Sequence, residues 1–238
     1  MQLHVTLDTR LEKVVSYIPQ GAVLADIGSD HAFVPCYCIQ QGLIKRAIAG
    51  EVNQGPKEAA DGQVRLVGLE EEIDVRLGSG LSVLERGEAD AITIAGMGGT
   101  LIATILEEGK EKLDGHERLI LQPNVDAVDV RVWLLSNGYQ LLSEAIVEEN
   151  AKIYEVLVAE KGEEILYSEE ERVRQKELRY GPQLMREKSP TFIKKWTEEL
   201  HKREYILAQM RAGTDSEELK RKIQAMQAVI DEMMEVIS

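Results

Sequence analysis

The sequence predicts an α/β protein: a Rossmann-like sheet of parallel strands closed by an antiparallel hairpin, with a C-terminal antiparallel helical coiled-coil domain behind it. Three observations carry this. Short apolar runs alternate with helical stretches from Ala22 to Ser136, which implies a parallel sheet covered on both faces. Two further strands, Tyr139–Glu148 and Ile153–Ala159, are separated only by a short polar turn, Glu149-Asn150-Ala151, so they must pair antiparallel. Beyond Gly162 the apolar period is helical only. The expected domains are residues 1–162 and 163–238.

In chain order, Ala22–Asp26 (AVLAD) is a buried strand ending in an acid, and His31–Gln41 a helix. Arg46–Glu51 is the second strand. Pro56–Val67 is a helix with proline in its first turn, where the missing N–H is harmless. Ile73–Leu77 alternates as a strand. Ala89–Ala95 is a fourth strand, followed by glycine-rich sequence and the helix Thr100–Glu107. Arg118–Gln122 is a fifth strand, followed by the helix Asp126–Ser136. With the closing hairpin, this order resembles the sheet of class I methyltransferases, which an ordinary dinucleotide-binding domain does not share.

The last third carries two apolar seams. Ile193, Trp196, Leu200, Leu207 and Met210 form one, interrupted by Arg203. Leu219, Ile223, Met226, Ile230, Met233 and Ile237 form the other. Both have coiled-coil spacing. Ser189-Pro190 opens the first helix. Gly213 is expected to stop it, and Thr214 with Glu217 to form a capping box for the next.

Composition narrows the function classes. No apolar run of 18 residues exists and the N-terminus lacks an apolar core, so no spanning helix or signal peptide is expected. Cys36 and Cys38 have no further Cys or His partners at zinc spacing, and read as buried small residues in a reducing compartment. A cytoplasmic, metal-free monomer is the expectation. The net charge of −14 argues against nucleic-acid binding by the whole surface. The charge is uneven, however: residues 1–162 hold 14 Lys and Arg against 26 Asp and Glu, residues 163–238 hold 14 against 16.

Five candidate sites fall at the carboxyl ends of the five parallel strands, where ligands bind in this architecture. The first is Asp26-Ile27-Gly28-Ser29-Asp30-His31. A full G-x-G-x-x-G is absent, and two acids this close suit a cationic amine or sulfonium better than a pyrophosphate. The second is Glu51, placed to accept from ribose hydroxyls. The third, Gly78-Ser79-Gly80-Leu81, lies where this fold places an adenine ring, with Leu81 able to cover one face. The fourth is Ala95-Gly96-Met97-Gly98-Gly99-Thr100, on the methyl-acceptor side. The fifth is Gln122-Pro123-Asn124, whose amides can read a base edge, or simply make a turn with Pro123 ending the strand.

The runs ADIGSDHAFVPCYC (Ala25–Cys38), AIAGEV (Ala47–Val52), ADAITIAGMGGTLI (Ala89–Ile102), ERLILQPN (Glu117–Asn124), YEVLVAE (Tyr154–Glu160) and KKWTEEL (Lys194–Leu200) resemble the bacterial TrmK family, tRNA (adenine-22-N1)-methyltransferases. The resemblance covers nearly the whole chain. It implies S-adenosylmethionine as cofactor and tRNA as substrate. It implies that Asp26, Gly28, Ser29, Asp30 and His31 border the methionine moiety, that Glu51, with Val52 beside it, holds the ribose, and that Gly78 to Leu81 surround the adenine. Ala95, Gly96, Met97, Gln122 and Asn124 then form the acceptor side, Ala95 and Gly96 also touching the cofactor. The chain departs from the family pattern at Ser79, where an aspartate is expected. A serine accepts a weaker hydrogen bond from the adenine amino group.

The implied reaction is in-line methyl transfer to adenine N1, which already carries a lone pair, so positioning and electrostatics dominate. Asp30 is the first candidate for stabilising the cationic product base. Arg172, Arg174, Lys176, Arg179, Arg186, Lys188, Lys194, Lys195, Lys202 and Arg203 offer a basic stretch for tRNA phosphates, or else a solvated coiled-coil face. The rivals are a methyltransferase with another RNA or small-molecule acceptor, a nicotinamide-dependent oxidoreductase, and a cofactor-binding adaptor acting through its coiled coil.

Overall fold

A computed structural model describes residues 3–212 and 216–238. It contains one seven-stranded sheet: β1 (Val23–Ile27), β2 (Arg46–Glu51), β3 (Ile73–Leu77), β4 (Ala91–Gly98), β5 (Arg118–Val125), β6 (Tyr139–Glu149) and β7 (Lys152–Lys161). The order is β3-β2-β1-β4-β5-β7-β6. Strands β1 to β5 are mutually parallel, and β7 runs antiparallel to both β5 and β6. The strands read as near-continuous apolar runs because both faces are buried. Alternate residues feed separate cores: Leu24, Ala91 and Ile120 face one, Ala25, Ile92, Leu119 and Leu121 the other. The hairpin closes through Asn150 and Ala151, both at positive φ (49° and 59°), as a two-residue turn between right-twisted strands demands.

The helices of the sheet region are α1 (Thr9–Val15), α2 (Phe33–Gln40), α3 (Gln54–Val67), α4 (Gly99–Glu108), α5 (Ala127–Ser136) and α6 (Glu171–Tyr180). Helix α1 is not foreseen by the sequence reading. Asp8 caps it, its carboxylate accepting from Leu11 N at 2.8 Å.

The chain divides into two compact units, Met1–Pro182 and Gln183–Ser238. The division falls twenty residues later than expected because α6 is locked to the sheet region by buried charge. Arg131, on α5, is fully buried and pairs with Glu144 at 2.6 Å and Glu155 at 2.5 Å. The same guanidinium donates to Leu178 O on α6 at 3.4 Å.

The second unit holds α8 (Pro190–Arg211) and α9 (Glu217–Ile237), which contact one another; α7 (Pro182–Glu187) precedes them. Ser189 caps α8 as expected. Gly213 and Thr214 lie outside the described residues, and the cap observed for α9 is Ser216, whose hydroxyl accepts from Leu219 N. The buried stripe is Phe192, Trp196, Leu200 and Leu207 on α8, and Ile230, Met233 and Val236 on α9. Phe192 and Val236 thus replace Ile193 and Ile237 of the expected seams, one residue off at each outer end.

Candidate functional site

Strand order reverses between β1 and β4, so their carboxyl ends open a crevice at the switch point of the sheet. Three features of the chain shape the β1 side. Asp26, at the end of β1, is buried; Ser29 Oγ and Thr93 Oγ1 each donate to it at 2.6 Å. Burial pushes its carboxyl up to about 6, against the pull of those two hydrogen bonds. Gly28 (φ 71°) and Ser29 both donate their N–H to Gly50 O, which stitches the first loop to β2.

Glu51, also buried, completes the stitch: its Oε1 accepts from Asp30 N at 2.6 Å. Its second oxygen has no hydrogen-bond partner among the described residues, and Val52 beside it and Leu77, its partner in β3, are exposed. That leaves one carboxylate oxygen of a largely buried residue as a free acceptor next to apolar side chains, a combination suited to ribose hydroxyls and an adenine.

Helix α2 begins at Phe33, two residues later than expected. Asp30, His31 and Ala32 all take positive φ (41°, 67° and 54°), a strained run for non-glycine residues that concentrates at functional loops. No side chain caps α2, so its first N–H groups remain open. His31 stacks on Phe33 with centroids 5.3 Å apart. The Asp30 carboxylate is 89% exposed, with His31 Nε2 3.8 Å away. Water screens a charge so placed.

Two further expectations are corrected. Leu81 is 1% exposed, turned into the core by a 3-10 turn (Gly80–Val83) and packed under Gly109; it offers no face to a ring. Ser79 in the same loop is exposed, and Gly78 N donates to Glu51 O. The glycines of the fourth loop serve different needs. Gly99 has no room for a Cβ because the Asp126 carbonyl sits against it, a packing role. Gly28 is filled likewise by the Met97 methyl group, so Met97 spans the crevice from the β4 side.

On the acceptor side β4 and β5 run further than expected. Pairing continues through Met97↔Pro123 to Gly98↔Val125, with a bulge that leaves Gly96 unpaired at φ 79°. Pro123 does not end its strand. It supplies no N–H, so the ladder loses a rung there. Side-chain amides replace it. Gly96 N donates to Gln122 Oε1 at 3.1 Å, and Gly96 O accepts from Asn124 Nδ2 at 2.7 Å. Gln122 Nε2 donates to Asn124 Oδ1 at 3.2 Å. The sequence reading missed the fourth member, Arg10 on α1, whose Nη1 donates to Gln122 Oε1 at 2.6 Å. Its guanidinium also lies 5.5 Å from the centre of the Tyr154 ring. The signal available for it was Asp8, a capping residue ahead of the apolar pair Val14 and Val15.

The structure therefore gathers Asp26, Gly28, Ser29, Glu51 and Met97 on one side, and Gly96, Gln122, Asn124 and Arg10 on the other. The basic candidates are divided between the two units. Arg172, Arg174, Lys176 and Arg179 lie on α6 in the first unit, Lys194 and Lys195 on α8 in the second. Arg174 pairs with Glu171, and Lys195 lies over the Trp196 ring at 5.0 Å. At the opposite edge of the sheet, Asp114, His116 and Glu117 bring ligand atoms together, but Glu117 already accepts from Tyr139 and from two backbone N–H groups.

Comparison with known proteins matches residues 24–236 to the TrmK family, tRNA (adenine(22)-N(1))-methyltransferase. The tRNA (adenine(22)-N(1))-methyltransferase of Bacillus subtilis is 49% identical over 231 residues, 97% of each chain. The crystal structure of the B. subtilis m1A22 tRNA methyltransferase TrmK superposes with a TM-score of 0.90 at 47% identity, covering 99% of this chain and all of that one. Streptococcus pneumoniae Sp1610 in complex with S-adenosyl-L-methionine gives a TM-score of 0.86 at 43% identity, over 98% of this chain and 100% of that one.

Proposed function

The chain belongs to the TrmK family of tRNA (adenine(22)-N(1))-methyltransferases, and we propose that the crevice between β1 and β4 is where it performs that reaction. The enzyme is S-adenosylmethionine-dependent. The observation that carries the assignment of the site is the pair of facing half-sites. One is built of buried carboxylates, the other of neutral amides at a bulged strand end.

S-adenosylmethionine supplies an electrophilic methyl group on a sulfonium. The residues present fit it. Glu51 holds the ribose through its uncommitted oxygen, with Val52 and Leu77 as the apolar groups near the adenine and Ser79 at its amino edge. Gly28, Ser29 and His31 frame the methionine end, with Ala95 and Gly96 on the β4 side. Asp26 and Glu51, both withdrawn from water, set a negative potential that favours a sulfonium and, after transfer, a cationic base; less screening makes such charges stronger than Asp30 in water. Gly96, Met97, Gln122 and Asn124 hold the acceptor ring in line. No general base is needed, because N1 offers its lone pair directly and no proton leaves in the step.

N1 lies on the pairing edge, so adenine 22 must be drawn from its stack before it enters. We assign that contact with the rest of the tRNA to the basic residues of α6 and α8, Arg172, Arg174, Lys176, Arg179, Lys194 and Lys195, acting on phosphates. We read α8 and α9 as an antiparallel coiled coil on the spacing of their apolar residues, and the protein as a cytoplasmic monomer. No described helix is long and apolar enough to cross a membrane.

The test is transfer of labelled methyl to unmodified tRNA transcripts carrying adenine or guanine at position 22. Incorporation into the adenine transcript alone, mapped to N1, is expected. Incorporation elsewhere, or equal incorporation into both, overturns the assignment.

A further inference from the structure

The four-membered cluster of Arg10, Gly96, Gln122 and Asn124 has a property that none of its members has alone: its amides cannot be flipped. An amide side chain can usually point either way. Here Arg10 Nη1 and Gly96 N can only donate, so the Gln122 atom between them must be oxygen. Its nitrogen is then turned to Asn124, whose facing atom must be Oδ1. The remaining Asn124 nitrogen meets Gly96 O, which can only accept. Every donor meets an acceptor; reversing Gln122 would set like against like at three places, and reversing Asn124 at two.

The bookkeeping at Asn124 leaves a defined remainder. An asparagine amide has two N–H groups and two oxygen lone pairs. One N–H goes to Gly96 and one lone pair to Gln122. One N–H and one lone pair are left on adjacent atoms of an exposed residue at the acceptor end of the crevice. That is a donor beside an acceptor. Adenine offers its complement on the Hoogsteen edge, where N7 accepts and the N6 amino group donates. Guanine offers N7 and O6, both acceptors.

We propose that Asn124 reads the Hoogsteen edge of the target adenine, N6 and N7 together, and that Arg10 is a positioning residue that reinforces the sense of the amides through Gln122. This rests on the reaction assigned above and deepens it. The arrangement leaves N1, on the far side of the amino group, free to face the methyl. It also rejects guanine, whose O6 would meet the Asn124 oxygen. Gly96 N and Gly96 O already set the sense of the two amides, and Arg10 adds a second, charged donor to Gln122 Oε1, so its loss loosens Gln122 and weakens the distinction between donor and acceptor.

The experiment compares full-length protein on tRNA carrying adenine or 7-deazaadenine at position 22. The analogue keeps N1 and the amino group and lacks the N7 acceptor. Wild type is expected to lose about tenfold in kcat/KM on the analogue, one hydrogen bond's worth. In Asn124→Ala and Arg10→Met the adenine rate falls and the preference for adenine over the analogue shrinks toward one, while the S-adenosylmethionine Kd stays near wild type. Arg10→Lys, which keeps a donor, restores part of the preference. Equal wild-type rates on the two substrates overturn the Hoogsteen assignment and leave the activity standing; this arm needs no variant to fold. An Arg10→Met protein that is slow but keeps the full preference overturns the positioning role. No transfer to either substrate overturns the activity, and the recognition scheme with it.

Discussion

Replacing Asp26 by asparagine should make the cofactor-free protein more stable at neutral pH and leave it no more stable in acid. Burial moves this carboxyl from 3.8 to about 6 even though Ser29 and Thr93 donate to it. At about 1.4 kcal/mol for each factor of ten, that displacement corresponds to about 3 kcal/mol by which the ionised form is disfavoured in the fold. A folded-state value raised above the unfolded one means that the folded protein binds the proton more tightly. The favourable contribution is therefore complete below pH 3.8 and is lost as pH rises through 6. Asparagine is neutral throughout and keeps both neighbours satisfied by turning one hydroxyl round. It should gain about 1–3 kcal/mol at pH 7–8, and the gain should vanish near pH 4. For a chain of this size each kcal/mol is worth roughly 2–4 °C in Tm. Thermal melts of the two proteins from pH 4.5 to 8 read this directly. Parallel curves, with the same difference at every pH, would refute the reasoning, because they would show that Asp26 does not titrate in the folded state within that window.

Three other perturbations test two further parts of the structure. Ser79→Asp places a stronger acceptor in the exposed loop after β3, and should lower the S-adenosylmethionine Kd roughly three- to thirtyfold by calorimetry; an unchanged Kd removes that loop from the adenine site. Arg131→Ala leaves Glu144 and Glu155 buried without their counter-ion and should cost about 3–5 kcal/mol in denaturant unfolding. Gly181→Ala, at φ 88° with its Cβ 2.7 Å from both Arg131 Nη2 and Glu144 Oε1, should cost about 2 kcal/mol or more through the same triad; a neutral result in both would show that α6 is held by something else.

Periodicity gave the seven strands and the helices between them, because each needs only its own residues to declare which face is buried. Arg46–Glu51 and Ile73–Leu77 were legible to the residue. Partners were not. Arg131 sits in an ordinary helical run, and nothing local says that two glutamates on the hairpin will neutralise it in the core and that its guanidinium will reach Leu178 O on α6. Arg10 was hidden for the same reason: its partner lies 112 residues away. The start of α2 was misplaced because three successive non-glycine residues at positive φ have no sequence signature; propensity favours the helix, and the stitching of the loop to Gly50 and Glu51 overrides it.

The glycines show most clearly where inference from a motif must stop. Gly28, Gly96 and Gly99 all lie at strand ends facing one crevice, and closeness to a ligand explains all three equally well from sequence. In the fold Gly99 is small because Asp126 backbone abuts it, and Gly28 is a glycine because its φ is 71°, the Met97 methyl beside it being the movable end of a flexible side chain. Gly96 alone is bulged, exposed and at φ 79° with room beside it, and its peptide is satisfied by side chains rather than by the neighbouring strand. A missing Cβ thus reports crowding as readily as access. What marks the functional edge is the unspent valence around it: the second oxygen of Glu51, and the single N–H and lone pair of Asn124. Glu51 is buried and Asn124 exposed, yet each is held by its neighbours with valence to spare, and these are the groups we propose to meet a ligand.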